Sequence, residues 1–540
     1  MDYRTTSGIV VPDRAWAWRF AAILVISLVT LYAVTRSTVL PGDVLRFVQE
    51  AAKGDKDAPQ LANPGHVLQV PLARGVWLGL AHLGVAASME HVMAAIAMIS
   101  TACAAVFIGW IALALVGTRA AAWTAAVLYG LSLHSGVMSN GEQYGLPIAI
   151  CAAGIWLALS GIALWPGVLF GVSMMGHAEF FFAAPALCVA TWYGRADLDA
   201  RARVWRACRE CVTGAAVTGV GTLALTYYLK KWTGPASLMA WIVGHLRTDH
   251  QYTVSVPEPF RALKGLATAL TFGGHVWRDA LTGRGSVTEL SFLLQMIAGL
   301  ILLTAIVGGV WMARRDRRLL VLAGVWLLPF HVGGNWWIES TVEKYHGGAL
   351  PALVLLVTGG WCVWMARWTP ERQRLTLAGL VCVSGLLNYT GAVWPIRDLG
   401  IRRAAAAAAL DALPGGTSGR RAIASCDLTP AVDASRTDVL RIRSYWTGTV
   451  PQIQDAIQVW VDARLREGSA VYLYGSTCYP EEWITDWSKD RFDMLFLRRA
   501  FQVSDPLVRD APQHETVATN PRSWKRADVR RVTSREGARP

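Results

Sequence analysis

Apolar runs of about twenty residues recur along most of this 540-residue chain. A run of that length can cross a membrane as an α-helix. Hydrophobic residues make up 53% of the chain and charged residues 16%, whereas globular domains carry about 25% charged residues. The sequence therefore predicts an α-helical polytopic membrane protein.

The hydropathy pattern predicts about eleven transmembrane helices. The segment 67–85 is amphipathic and is expected to lie in the membrane interface or to re-enter the membrane. The apolar pieces on either side of Gly176 and His177 are too short to span comfortably, which predicts a broken hairpin with polar groups inside the bundle. The predicted spans are residues 16–35, 89–116, 120–138, 142–160, 163–175, 178–193, 212–229, 290–313, 319–333, 349–366 and 375–394.

Arginine placement predicts the orientation of these spans. With eleven spans, the arginine-rich segments all fall on one side, which the positive-inside rule makes cytoplasmic. We therefore expect an inner-membrane protein with a cytoplasmic N-terminus, and with loops 36–88, 230–289 and 333–348 and the tail after residue 395 outside. The net charge of +13 then reflects topology and not nucleic-acid binding. These arginines are Arg4, Arg14, Arg195, Arg201, Arg203, Arg206, Arg209, Arg314, Arg315, Arg317, Arg318, Arg367, Arg372 and Arg374.

The chain changes character after residue 395, which predicts a transmembrane domain over 1–395 and a small extracytoplasmic α/β domain over 396–540. RAIASCDLTP and AVYLYGS have strand patterns, and IQDAIQVWVDARLREG between them has helical periodicity. The last thirty residues are basic and polar and are expected to fray. Cys426 and Cys478 both fall in this exported part, so a disulfide between them is predicted.

Asp43 is the first candidate for chemistry. It lies in the first exported loop, just after the first span, where a carboxylate could accept the proton of a hydroxyl at the membrane rim. The structural alternative is a helix N-cap, since Gly42-Asp43 precedes a helix-like VLRFVQEAA.

Four further polar groups follow along the chain. Ionisable residues inside a membrane are usually functional, which favours a functional role for His177 and Glu179. Lys344 and His346 could neutralise a phosphate. The structural alternatives are a turn for Asn63 to His66, a helix-dipole contact for Glu142 and an interfacial anchor for Glu339 to His346. The groups are Asn63-Pro64-Gly65-His66, Asn140-Gly141-Glu142-Gln143-Tyr144, Gly176-His177-Ala178-Glu179 and Glu339 to His346.

Metal and nucleotide chemistry receive little support from the sequence. No Cys/His spacing matches a zinc site, and His177 with Glu179 is an i, i+2 pair that does not share a helix face. A requirement for a divalent metal stays open from the sequence. P-loop, GxSxG and dinucleotide-binding patterns do not occur.

Taken in order, these groups resemble the motifs of the GT-C glycosyltransferases, most closely those of the bacterial relatives of the transmembrane protein O-mannosyltransferases. Asp43 matches the acid of the first exported loop, and Asn63 to His66 match in part a His-Pro-Pro-Gly-like turn. Gly141 to Leu146 match the Ala-Glu-Val-Tyr-Ala-Leu-like start of a later span, and Gly171 to His177 match a Gly-x-x-x-x-His-His-like hairpin.

The resemblance implies a GT-C-like fold and inverting transfer of a hexosyl or pentosyl group from a polyprenyl-phosphate carrier to a glycan, lipid or protein acceptor outside the cytoplasm. Asp43 would be the general base. The outer loop 230–289, with Arg247, is expected to cover the site. The residues expected to bind substrate are His66, Glu142, Tyr144, His177, Glu179, Arg247, Lys344, Tyr345 and His346.

Two other classes of function remain open from the sequence. A transporter or flippase for a lipid-linked glycan would also use a broken hairpin with polar groups at depth, although the large exported segments and the lack of internal repeats favour the enzyme. A non-catalytic envelope assembly factor is the third possibility. Tolerance of Asp43→Ala would favour either of these over the enzyme.

Overall fold

The computed structural model of the chain divides into two compact units, residues 1–36 with 43–397 and residues 37–42 with 398–540. The residues it describes are 4–6, 9–36, 44, 47–48, 51–52, 67–229, 233–239, 259–271, 290–335, 346–393, 412–425, 437–441, 459–474, 514–518 and 529–532.

The described part of the first unit is helical, apart from a short antiparallel pair of strands, β1 (Arg4–Thr6) and β2 (Ile9–Val11). It also contains a 3₁₀ segment, Ala178–Ala183, and two π-helical segments, Pro329–Asn335 and Leu386–Val393. The helices are α1 Arg14–Thr35, α2 Gln69–His82, α3 Met89–Val116, α4 Arg119–Gly130, α5 Leu133–Met138, α6 Gly145–Leu159, α7 Trp165–Gly176, α8 Ala184–Gly194, α9 Ala200–Tyr228, α10 Pro259–Leu270, α11 Leu290–Ala313, α12 Arg317–Leu328, α13 Leu350–Met365 and α14 Pro370–Gly385.

Among the described residues, three helices are long and apolar enough to cross a membrane: Arg14–Thr35, Met89–Val116 and Met296–Ala313. They coincide with the first, second and eighth predicted spans. Gly145–Leu159 and Leu350–Met365 are apolar but shorter. The total of eleven spans therefore stays a prediction.

Side chains at the helix ends explain several boundaries. The Ser88 hydroxyl accepts from the backbone N–H of His91 at the start of α3, and Gly117, with φ of 80°, ends that helix. The boundary inside the run at 120–138 was not predicted: this run forms two helices, α4 and α5. The Ser132 hydroxyl accepts from Ser135 N–H at 3.1 Å and so starts a new helix inside the apolar run.

The predicted break at Gly176-His177 is present. α7 ends at Gly176, His177 is extended with φ −160° and ψ 122°, and the 3₁₀ segment then leads into α8. This arrangement leaves the side chains at residues 177–179 between two helix ends and not along a continuous helix.

The second unit contains a five-stranded mixed sheet in the order β4-β3-β5-β7-β6. β3 pairs in parallel with β4 and β5, whereas β7 is antiparallel to both β5 and β6. β3 and β5 fall within the two segments that have strand patterns. The strands are β3 Arg421–Ser425, β4 Thr437–Arg441, β5 Ala470–Tyr474, β6 His514–Ala518 and β7 Val529–Val532.

The tail differs from the expectation of fraying, because β6 and β7 lie within the last thirty residues. β7 pairs with β5 along Val471–Tyr474, whose backbone N–H and C=O groups on that side need partners. The basic, polar composition predicted a solvated tail. Pairing with a distant strand uses backbone groups, so it does not require a recognisable side-chain pattern. Cys426 and Cys478 lie outside the described residues, so their disulfide stays a prediction.

Candidate functional site

Five of the predicted site residues are described by the structure: Glu142, Tyr144, His177, Glu179 and His346. The other five, Asp43, His66, Arg247, Lys344 and Tyr345, lie outside the described residues. For the segments that contain these five residues, the contacts of the neighbouring described residues are given below.

The loop between α5 and α6 buries a run of polar side chains. Asn140, Glu142, Gln143 and Tyr144 each expose 6% of their surface or less. Gly141 has φ of 105°, a conformation that side-chain-bearing residues rarely adopt. Because buried polar groups are costly unless they are paired, the polar atoms of this loop need hydrogen-bond partners inside the unit.

Tyr144, His177 and Glu179 meet at the helix break. The Tyr144 hydroxyl donates to Glu179 Oε2 at 3.5 Å, and His177 Nδ1 lies 3.6 Å from the same oxygen. The Tyr144 and His177 ring centroids are 4.4 Å apart, with 33° between the ring planes. The structure thus joins two of the predicted motifs, which are 35 residues apart in sequence.

The end of loop 36–88 reaches the same place. Gln69 Nε2 donates to the Glu142 carbonyl oxygen at 3.1 Å, and Leu68 N–H donates to the Met175 carbonyl oxygen at 3.2 Å. Met175 is two residues before His177. The segment that follows His66 is therefore bonded both to the Glu142 loop and to the end of α7.

The residues that follow Asp43 pack on the helix that ends this loop, α2. Val44, Phe47, Val48 and Ala51 are helical, and their i, i+3, i+4, i+7 spacing gives one apolar face. Phe47 and Ala51 belong to a buried cluster that includes residues of α2 and α3. The Arg74 guanidinium of α2 donates to the carbonyl oxygens of Ala51 and Ala52.

The loop is also tied at its start. Arg36, directly after α1, forms an ion pair with Glu90 in the first turn of α3, with the two atoms 2.6 Å apart. The entry and exit of loop 36–88 are thus held by α3, α2 and the helix break.

His346 is fully buried at the turn that leads into α13. The next residue, Gly347, packs against His134, since a Cβ added there would lie 2.5 Å from His134 Cε1. The His134 ring centroid is in turn 6.5 Å from that of Tyr144. His346 therefore belongs to the same end of the unit as the Tyr144, His177 and Glu179 cluster.

Sequence reasoning missed three residues around this cluster: Gln69, His134 and Asn388. Asn388 is buried in the second π-helical segment, and its amide donates to the carbonyl oxygens of Leu131 at 2.7 Å and Leu270 at 3.1 Å. His134 and Asn388 are polar residues inside predicted spans, which was the available signal. Gln69 gave none, because amides are common at helix starts.

His177 and Glu179 are the described residues that could contribute ligands to a metal at the break. In the described part of the chain, no three His, Cys, Asp or Glu side chains are grouped as metal ligands. What the described arrangement offers is a carboxylate, a phenol hydroxyl and an imidazole within hydrogen-bonding or ion-pair range of one another.

No protein-family model matches this chain, and no curated protein matches it. The chain is similar in structure to ArnT from Cupriavidus metallidurans bound to undecaprenyl phosphate, with a TM-score of 0.56 and 13% sequence identity. The alignment covers 97% of this chain and 99% of ArnT. At this identity the similarity establishes a shared fold, and it extends over both units of the chain.

Proposed function

We propose that this chain is a membrane glycosyltransferase that moves a sugar from a polyprenyl-phosphate donor to a hydroxyl acceptor on the extracytoplasmic side. The observation that carries the proposal is the fold shared with ArnT, a protein bound to undecaprenyl phosphate, over 97% of the chain. The motif order that resembles the GT-C glycosyltransferases supports the same reaction class independently of the fold.

Within that class, the bacterial relatives of the transmembrane protein O-mannosyltransferases are the proposed kin. The support is the assembly of the third and fourth motifs. The Tyr144 ring packs on the His177 ring, and Gln69 and Leu68 bring the segment after the partial His-Pro-Pro-Gly turn to the same place.

Asp43 is the proposed general base. The residues that follow it pack on α2, which begins at the Glu142 loop and the helix break. In the proposed step, the oxygen of the acceptor hydroxyl bonds to the anomeric carbon of the sugar while Asp43 accepts the hydroxyl proton. The bond from that carbon to the phosphate oxygen breaks with inversion, and the electron pair leaves with polyprenyl phosphate.

Cations are the proposed partners of the leaving phosphate. Its negative charge grows in the transition state, so cations already in position stabilise the transition state more than the ground state. Arg247, Lys344 and His346 are the candidates, and the packing of Gly347 on His134 supports the last two. Tyr345 and His66 are proposed to line the same substrate pocket.

The experiment compares wild type with Asp43→Asn in detergent, using a panel of polyprenyl-phosphate sugars and following sugar release or transfer. We expect wild-type turnover with at least one donor and a roughly 10²–10⁴-fold lower rate for the isosteric variant, because the base is lost. Asp57→Asn, in the same loop, is the matched control and should retain the wild-type rate.

Equal turnover by wild type and Asp43→Asn would exclude Asp43 as the base and direct the search to Glu142 and Glu179. Binding of donors without turnover by wild type would contradict the enzyme and favour a lipid-linked glycan transporter.

A further inference from the structure

The two oxygens of the Glu179 carboxylate have different surroundings. Oε2 accepts from the Tyr144 hydroxyl and lies 3.6 Å from His177 Nδ1. Oε1 is buried and has no hydrogen-bond partner among the described residues. The side chain as a whole is only 9% exposed. A buried carboxylate oxygen that accepts no bond costs free energy, so this oxygen calls for a hydrogen-bond donor from outside the described residues.

The helix break holds this carboxylate in a fixed position. Glu179 lies in the first turn of the 3₁₀ segment, and the phenol ring of Tyr144 packs against the imidazole of His177. Phe180, the next residue, is buried against Phe330 with ring centroids 5.6 Å apart. A ligand at Oε1 would therefore meet a pre-organised acceptor and not a side chain that must first be ordered.

The chemistry of the acceptor identifies the ligand group. Oε1 is an acceptor without a donor among the described residues, and an ionised carrier phosphate offers only acceptor oxygens, so the phosphate is not the partner of Oε1. A neutral hydroxyl donates one hydrogen bond and adds no charge, and a sugar carries several.

We propose that Glu179, held by Tyr144 and His177, binds a hydroxyl group of the donor sugar through Oε1. This inference rests on the proposed function and divides the site by charge, with a carboxylate subsite for the sugar and the cationic residues for the phosphate. The subsite distinguishes the loaded donor from the spent carrier, because the carrier has lost the group that Glu179 binds.

The test measures equilibrium binding of two ligands, a polyprenyl-phosphate hexose and the bare polyprenyl phosphate, to wild type and Glu179→Gln in detergent. We expect the variant to bind the loaded donor roughly tenfold to hundredfold more weakly, as for loss of a hydrogen bond to a charged group. Its affinity for the bare carrier should stay at the wild-type value. Tyr144→Phe should shift affinities in the same selective pattern by a smaller factor.

If Glu179→Gln bound both ligands equally more weakly, or both at the wild-type affinity, the proposed role of Glu179 would be overturned. The proposed transferase activity would still stand in that case if the wild type turned over a donor. If Glu179→Gln lost affinity for an amino-sugar donor and not for a neutral hexose donor, the assignment of a hydroxyl group to Oε1 would be overturned. A wild type that binds the bare carrier but no loaded donor would contradict the proposed function itself. Unchanged elution volume and unfolding temperature establish that Glu179→Gln is folded.

Discussion

At the scale of single residues, Glu210 illustrates how a buried carboxylate fixes a helix start. Its Oε1 accepts from Leu164 N–H at 3.0 Å and its Oε2 from Gly167 N–H at 2.9 Å. Leu164 has φ of 69°, rare for a residue with a side chain, and Trp165 N–H closes a γ-turn on the Ala163 carbonyl oxygen. The carboxylate thus stabilises a strained turn and the free amides at the start of α7 together.

Replacement of Glu210 by alanine should lower the free energy of unfolding by roughly 2–3 kcal/mol, because the buried amide of Gly167 and the partly buried amide of Leu164 lose a charged acceptor. Asp197→Ala is the matched control. Asp197 pairs with Arg195 at an exposed position, and exposed ion pairs contribute about 0–1 kcal/mol. Denaturation in detergent, followed by circular dichroism, compares the two. An equal effect of both substitutions would contradict a special role for Glu210.

The sequence was informative for site residues whose type is unusual for their position. Tyr144, His177 and Glu179 stand out as polar groups at the ends of apolar runs, and the structure brings the three together. Gln69 and Glu210 do not stand out. Their roles depend on backbone groups 73 and 43–46 residues away in sequence, and no local pattern encodes such a partner.

At the scale of helices, close approach is decided by a few glycines. α11 and α13 cross where Gly309 and Gly360 meet, and a Cβ on Gly360 would clash with the backbone carbonyl of Gly309. Hydropathy predicted both helices but not which of them pack together, because any apolar helix satisfies a hydropathy criterion. The contact depends on which faces carry the small residues.

Gly360→Ala should destabilise the chain by about 1–3 kcal/mol, because the added methyl group forces α11 and α13 apart. Gly379→Ala is a matched control in α14, where an added Cβ meets nothing within 4 Å. The control should be neutral or stabilise by up to about 1 kcal/mol through helix propensity. The measurement is the unfolding temperature of each variant in the same detergent, compared with that of the wild type. Similar shifts for the two would show that this helix contact is not tight.

At the scale of the whole molecule, the apolar runs predicted the helical class, and the shared fold with ArnT agrees with it. The arrangement of the second unit was less accessible. In its strand order, β4-β3-β5-β7-β6, β5 pairs with β7 more than 50 residues further along the chain, and such pairing depends on partners that a local pattern does not identify.

The predicted orientation can be tested with two exposed positions, Asp197 in an arginine-rich loop and Ser418 in the second unit. In a background with all nine cysteines replaced by serine, we expect a membrane-impermeant maleimide to label Ser418→Cys in intact spheroplasts. Asp197→Cys should react only after permeabilisation, since the positive-inside rule makes its loop cytoplasmic. The opposite pattern would invert the topology and place the proposed base on the wrong side.

The position of β7 between β5 and β6 also sets an order for biogenesis. β6 is synthesised before β7, yet among the described strands it bonds to β7 alone, and β7 bonds in turn to β5. The antiparallel half of the sheet therefore cannot close before residues 529–532 have been synthesised. Until then the edge of β5 lacks its own partner and is open to pairing with other chains, which makes this interval the one in which a chaperone would matter most.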